Sequence, residues 1–290
     1  MPQNTAISPF DLLSPCSLCE LRCQAARLDC EVGPCGAGLE PVVYSRMLHF
    51  GEELELIPSY VLNLAGCSMA CTFCSEENHL KPPFAGESMS PEEWALTLKK
   101  TLEHSKPAAK TLNFVGGEPS IHLPFLLQLL EHLDELWPAH PRALLNTNLY
   151  LTPQALQCCR GPFAIVLADH KFGDDHCART IARTPRYLEV IQRNLLEVSR
   201  WPETQLIVRH LVMPGHLECC TEPVLNWLSS ELAGAPNLLV NLMTGFVPFQ
   251  ETTASQRWHR LDTAEAQHAK TLFNSLRVNR KLWNGGPPVA

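Results

Sequence analysis

Charge is scarce in this chain of 290 residues. Asp, Glu, Lys and Arg together make up 18%, and 23 basic residues face 30 acidic ones, for a formal net charge of -7 and a pI near 5.9. That balance offers no broad basic surface for a phosphate backbone, so nucleic acid is not expected as a partner. Long apolar runs are missing as well. No stretch approaches the roughly 20 residues that cross a bilayer, and the opening Met-Pro-Gln-Asn-Thr-Ala lacks a basic region followed by an apolar run. The expectation is therefore a cytoplasmic protein without membrane attachment. Hydrophobic content of 45% is that of an ordinary globular chain, long enough for one large domain and an appendage.

What the chain does have is cysteine, 13 in all, with eight of them in the first 74 residues. An odd count and no secretory leader argue against a disulfide framework and for metal ligation. Cys67, Cys71 and Cys74, in Gly66-Cys-Ser-Met-Ala-Cys-Thr-Phe-Cys, are spaced x3 then x2. Three thiolates are one short of the four ligands that a cubane cluster or a structural zinc takes, so one metal position stays open. A zinc knuckle or three unrelated core thiols are the plainer readings, but no partner pair of ligands follows within the usual loop length. Earlier, Cys16-x2-Cys19-x3-Cys23 is followed by Cys30 and Cys35. Cys16, Cys19, Cys23 and Cys35 are the preferred ligands of a second metal, zinc or iron-sulfur, with Cys30 spare; the site would either clamp a coreless segment or relay electrons. Cys158, Cys159, Cys177, Cys219 and Cys220 show no recognised ligand spacing and read as core or surface thiols.

Six apolar runs of strand length, each continuous as for strands buried on both faces, begin at Tyr60, Thr111, Ala143, Ala164, Gln205 and Asn237. Helical segments lie between them. Ser90 with Pro91 and Glu93 signals a helix reaching about His104, and Asp262 with Glu265 repeats the capping box for a last one ending near Leu276. Further helices are expected over Leu123–Leu136, Pro153–Cys158, Arg186–Val198 and Glu222–Leu232. The pattern is α/β, a partial (β/α)6 barrel, with residues 51–250 as the barrel, 1–50 as a cysteine-rich metal-binding extension and 251–290 as a C-terminal helix and tail.

In such a fold the loops after the strands carry the chemistry. The three-cysteine loop follows the first strand. Gly116 and Gly117 after the second let the backbone approach a ligand, and Glu118 offers a carboxylate to an ammonium, or all three simply make a strand-to-helix turn. Asn146, Thr147 and Asn148 offer hydrogen bonds of the type a ribose needs, or a helix-capping turn. Asp169 suits a cation or ribose hydroxyl and Lys171 a carboxylate, unless the two form an internal ion pair. Arg209, inside an apolar strand, needs a partner: a ligand carboxylate or an acid such as Asp169. His210 and His216 are candidate proton carriers or structural histidines. Met243-Thr-Gly-Phe246 is a candidate lining for the substrate end.

These residues resemble the radical-SAM proteins, in particular the branch similar to pyruvate formate-lyase activating enzyme that carries an added N-terminal cysteine segment. The resemblance covers nearly the whole chain. It rests on Cys16-Ser-Leu-Cys-Glu-Leu-Arg-Cys23, Leu48-His-Phe-Gly-Glu-Glu53, the three-cysteine loop, Leu167-Ala-Asp-His-Lys-Phe-Gly173, Asn241-Leu-Met243 and, most specifically, Arg209-His-Leu-Val-Met-Pro-Gly-His216. It implies a 4Fe-4S cluster on Cys67, Cys71 and Cys74 whose open iron chelates S-adenosylmethionine and cleaves it to a 5′-deoxyadenosyl radical for hydrogen abstraction. It further implies that Phe73 lies beside the adenine and that Glu118 and its glycines hold the methionine amino group, while the strand position of Arg209 leaves it for the methionine carboxylate or for a neighbouring acid. Two positions depart from the pattern: Cys30 stands where similar proteins tend to have glycine, and Ser75-Glu-Glu-Asn78 follows the last cluster cysteine in place of Gln-Asn. The expected activity is radical modification of a protein, with a glycyl-radical enzyme as the specific version and a reductant such as flavodoxin or ferredoxin. Modification of a small molecule or peptide is the alternative within enzymes. A non-catalytic iron-sulfur or zinc scaffold is the alternative outside them.

Overall fold

A computed structural model describes residues 8–51, 53–248 and 258–284; parts of the expected C-terminal module, 251–257 and 285–290, lie outside the described residues. Two compact units make up the chain. One comprises the chain up to Ser68 with Asn78–Leu145 and Tyr150–Phe163, and the other comprises Met69–Glu77, Asn146–Leu149 and everything from Ala164 onward.

In the first unit β1 (Val43–His49) runs antiparallel to β2 (Ser59–Leu64), and β2, β3 (Thr111–Gly116) and β4 (Arg142–Thr147) are parallel in that order. Its helices are α1 (Pro91–Leu102), α2 (Leu123–Leu136) and α3 (Pro153–Cys158). α1 starts where the sequence says it should: Ser90 Oγ accepts the Glu93 N–H at 3.2 Å and Glu93 Oε2 accepts the Ser90 N–H at 2.8 Å. Trp94, Ala95, Leu98 and Leu102 then fall on one buried stripe.

The cysteine-rich extension belongs to this unit and has little regular structure of its own. Side chains and bridges hold it in place. Cys19 bridges to Leu151, Thr152 Oγ1 donates to the Ser17 carbonyl at 2.8 Å, and the buried Arg27 donates from Nε to Gly38 O at 3.0 Å and from Nη1 to Ile121 O at 2.6 Å.

In the second unit β5 (Ile165–Asp169), β6 (Gln205–Leu211), β7 (Leu238–Met243) and β8 (Lys281–Asn284) are parallel in chain order. Between them come α4 (Asp175–Ala182), α5 (Tyr187–Val198), α6 (Glu222–Glu231) and α7 (Thr263–Ser275). Ile165 to Ala168 are wholly buried, which is why that run is apolar without alternation. All six expected strands are present as β2 to β7, each followed by helix, in the α/β pattern of a partial (β/α)6 barrel.

Three elements were not foreseen. β1 is mixed in composition, mostly half-buried and carries a register shift between Val43 and Ser45, so it shows neither strand pattern. β8 has only four residues. α4 is eight residues long, and its start is marked only by Asp174, whose Oδ1 accepts the Cys177 N–H at 2.7 Å. Among the described residues no helix is long and apolar enough to cross a membrane.

Candidate functional site

Glu118 and Asp169 stand at or just past the ends of β3 and β5, Arg209 lies inside β6, and the N-terminal cysteines precede the first strand. In the first unit the chain leaves β2 through Gly66, whose φ of +89° suits glycine and whose missing side chain admits the Cys35 carbonyl. The Cys67 N–H donates to that same Cys35 carbonyl at 2.9 Å. One backbone hydrogen bond therefore joins the first cysteine of the triplet to the last of the N-terminal set. Gly117 and Glu118 follow β3 and close the turn: Gly117 N–H donates to Leu64 O and Glu118 N–H to Gly66 O, both at 2.9 Å. A Cβ on Gly117 would collide with the Gly66 carbonyl oxygen. Glu118 is buried, and its Oε1 accepts the Ser120 N–H at 3.0 Å, capping a 3-10 turn over Pro119–His122. The strand-to-helix role is thus real, and it fixes where the carboxylate sits.

The extension brings Cys16, Cys19, Cys23 and Cys35 together. Burial pushes the Cys19 thiol up to about 12, with the neighbouring Cys35, Cys16 and Cys23 adding to the shift. Cys30 is exposed, at a φ of +65°. Cys16, Cys19, Cys23 and Cys35 are thus neighbours, and Cys30 stands apart on the surface.

In the second unit the cysteine loop is pinned to the end of α4, with Ala70 N–H donating to Ala182 O at 3.0 Å and Thr72 N–H to Ile181 O at 2.9 Å. Phe73 meets the rings of Phe246 and Trp258 edge-on, with centroids 5.9 and 5.6 Å away. Trp258 Nε1–H also reaches Thr72 Oγ1 at 3.2 Å. Trp258 had no signal in the sequence, because it follows a stretch without readable periodicity.

Asp169, the last residue of β5, pairs with Lys171, so the internal ion pair is present. The Lys171 N–H donates to Tyr187 Oη at 2.6 Å. Burial lowers the pKa of the Lys171 ammonium, but Asp169 and Cys71 outweigh it and hold the group charged. Burial raises the Cys71 thiol to about 12 while Lys171 pulls the other way. A thiolate there needs positive charge, and a bound metal ion would supply what one ammonium does not.

Strand register adds a row. Asp169 lies opposite Arg209 on β6, and Arg209 opposite Asn241 on β7, with Arg209 and Asn241 buried. In-register neighbours on parallel strands share a face, so these three polar side chains emerge side by side. His210, on the other face, is structural: its Nδ1–H donates to His170 O at 2.7 Å and its Nε2 accepts the Thr221 hydroxyl at 3.0 Å. Thr147 Oγ1 accepts the Leu149 N–H at 2.9 Å, which makes the Asn146 to Asn148 segment a tight turn with Asn148 buried. His216 is drawn to Cys177, Cys219 and Cys220, a grouping the sequence did not disclose because Cys177 is 39 residues distant.

Residues 64–228, more than half of the chain, match the model of the radical SAM superfamily. Enzymes of that superfamily work with a 4Fe-4S cluster and S-adenosylmethionine, and a loop of three free thiols beside an ammonium has the donor chemistry such a cluster takes. Uncharacterized protein MJ0674 of Methanocaldococcus jannaschii is 33% identical over 250 residues, covering 82% of this chain and 68% of that one. Streptococcus suis SuiB bound to S-adenosylmethionine has a similar fold, with a TM-score of 0.54 at 11% identity. The match covers 76% of this chain and 48% of SuiB, so this chain spans about half of SuiB's length. A domain of pyruvate-formate lyase-activating enzyme from Bacteroides vulgatus is a looser match, with a TM-score of 0.46 at 17% identity over 60% of this chain and 98% of that one. Motif, strand order and the extent of the match together make this chain a member of the radical SAM superfamily.

Proposed function

We propose that this chain is an enzyme that takes a hydrogen atom from a protein or peptide substrate, in its specific version the glycine of a glycyl-radical enzyme. When bound, the cluster and S-adenosylmethionine supply a 5′-deoxyadenosyl radical. Cys67, Cys71 and Cys74 would hold the cluster, leaving one iron for the methionine moiety. Glu118 would meet the methionine ammonium, Arg209 the carboxylate, Asn146, Asn148 and Asp169 the ribose, and Phe73 with its ring neighbours the adenine. Lys171 keeps positive charge beside Cys71 and so favours the ligating thiolate. Electrons would come from a flavodoxin or ferredoxin.

The observation that carries this reading is the Asp169–Lys171 ion pair beside Cys71 of the three-cysteine motif. A buried thiol beside a held cation suits ligation better than packing. A peptide or protein substrate draws support from the activating-enzyme resemblance and from the similar fold of SuiB, which is known bound to its precursor peptide SuiA.

The test is anaerobic reconstitution, reduction and addition of S-adenosylmethionine, followed by chromatography for 5′-deoxyadenosine. The wild type should release it and Cys71→Ala should not. No product from wild type whose cluster is shown by EPR to be reduced would sink the enzymatic reading. For the glycyl version, mixing with a candidate glycyl-radical enzyme should give the glycyl EPR doublet. Turnover of a small molecule with no doublet would move the proposal to the alternative substrate class.

A further inference from the structure

Cys177 comes from α4 and His216, Cys219 and Cys220 from the start of the segment after β6, yet their ligand atoms all lie within 4.8 Å of one another. We propose that these four residues form a mononuclear zinc site, separate from both the three-cysteine loop and the N-terminal thiols.

The geometry fits one ion. Zinc binds thiolate sulfur at about 2.3 Å and imidazole nitrogen at about 2.0 Å in tetrahedral sites, which places ligand sulfurs roughly 3.8 Å apart and sulfur and nitrogen roughly 3.6 Å apart. Here Cys177 Sγ is 3.6 Å from Cys219 Sγ, and Cys219 Sγ is 3.9 Å from Cys220 Sγ. His216 Nδ1 is 3.6 Å from Cys177 Sγ and 3.2 Å from Cys219 Sγ. A disulfide needs sulfurs about 2 Å apart, and all 13 cysteines are free. A cubane, whose ligands attach to different irons, would spread the sulfurs well beyond this. Three thiolates and an imidazole, with no carboxylate among the ligands, select zinc over magnesium or calcium. On binding, three thiol protons are released and the site carries one net negative charge.

The backbone is shaped for this meeting. Cys177 sits in the first turn of α4, where the helix N-terminus favours a thiolate. Cys219 and Cys220 sit in a π-helical turn, Leu217–Thr221, whose extra residue turns both sulfurs toward Cys177. Gly173 admits the carbonyls of Cys219 and Cys220 so closely that a Cβ would meet them at 2.6 and 2.7 Å. Across the site, the His216 ring meets Trp258 at a tilt of 38°, with centroids 5.7 Å apart. Zinc here would staple the loop after β5 to the loop after β6, the two that follow Asp169–Lys171 and Arg209. α4 in turn carries the hydrogen bonds that pin Ala70 and Thr72.

The test uses the full chain and reads metal, so it is independent of S-adenosylmethionine cleavage. Zinc measured by mass spectrometry should stand at one per chain in a variant with Cys16, Cys19, Cys23 and Cys35 all changed to Ala, and at one per chain still when Cys67, Cys71 and Cys74 are changed to Ala as well. Adding Cys177→Ser with Cys219→Ser to the first of these variants should remove it, and in the wild-type background should lower zinc by one per chain. Cobalt substituted into the wild type should show the intense visible bands of a tetrahedral thiolate site, and His216→Cys should shift its charge-transfer band while keeping the metal. Zinc unaffected by the double serine variant, or a cobalt spectrum that His216→Cys leaves unmoved, would overturn the proposal.

Discussion

Lys171 illustrates how one side chain serves both fold and chemistry. Its ammonium pairs with Asp169 and lies close enough to Cys71 to oppose the effect of burial on that thiol. Removing it while keeping the stem, in Lys171→Met, should raise the Cys71 pKa further. Alkylation of metal-free protein at pH 8, read by mass spectrometry, should find Cys71 at least about tenfold slower than the exposed Cys30, and slower again in the variant. Equal reactivity of Cys71 in both proteins would remove Lys171 from the site. His122 makes a different point at the same scale. Burial, with Arg27 beside it, holds its pKa at about 3, below the ordinary 6.5, while its Nε2–H donates to Ala65 O at 2.9 Å. The unfolded chain therefore binds the proton more readily, and stability falls as pH drops from about 6.5 toward 3. At about 1.4 kcal/mol per unit, this residue alone should cost about 2 kcal/mol between pH 7 and pH 5. Urea unfolding at the two pH values should show that loss in wild type and a correspondingly smaller one in His122→Asn, which keeps a donor for Ala65.

At the scale of elements, the N-terminal extension has almost no helix or strand, so its position depends on a few anchors. Arg27 is the main one, a buried fork satisfying the carbonyls of Gly38 and Ile121. Arg27→Met removes the donors and leaves both carbonyls buried, which should cost about 2–4 kcal/mol of local stability. Limited proteolysis should then cut within residues 8–40 well before the barrel strands, whereas cleavage as slow as in wild type would mean that the thiol cluster alone holds the segment. The same contrast between strong and weak local signals explains what could be read in advance. β2 to β7 are buried on both faces and announce themselves as unbroken apolar runs, and α1 and α7 carry full capping boxes. β1 and β8 are edge elements, short or mixed in burial, and the packing that makes them strands is not local. In the candidate site, Cys67, Cys71 and Cys74 can be read from sequence because their spacing alone puts three thiols on one loop. The Cys177–His216–Cys219–Cys220 set cannot, because a π-helical turn and a glycine contact bring it together from α4 and the segment after β6. Likewise the Asp169–Arg209–Asn241 row exists only through strand register.

For the whole molecule, charge is the property that bears on partners. A net charge of -7 spread over 290 residues gives a weak repulsive field toward polyanions. Binding to RNA gains most of its free energy from phosphates neutralised by lysine and arginine, and affinity falls steeply with salt when several are engaged. Two cations among the described residues are already committed, Lys171 past the end of β5 to Asp169 and Arg27 in the N-terminal extension to backbone carbonyls. Arg209 is buried in the strand row. A protein or peptide substrate makes no such demand for a basic surface, and it can be recognised by apolar contacts that salt leaves largely intact. Fluorescence anisotropy with labelled transfer RNA in 50 mM salt should therefore show no saturable binding by the reconstituted protein. Tight binding that weakens by orders of magnitude between 50 and 200 mM salt would require a phosphate-contacting patch of several cations, and would replace the protein or peptide substrate with RNA.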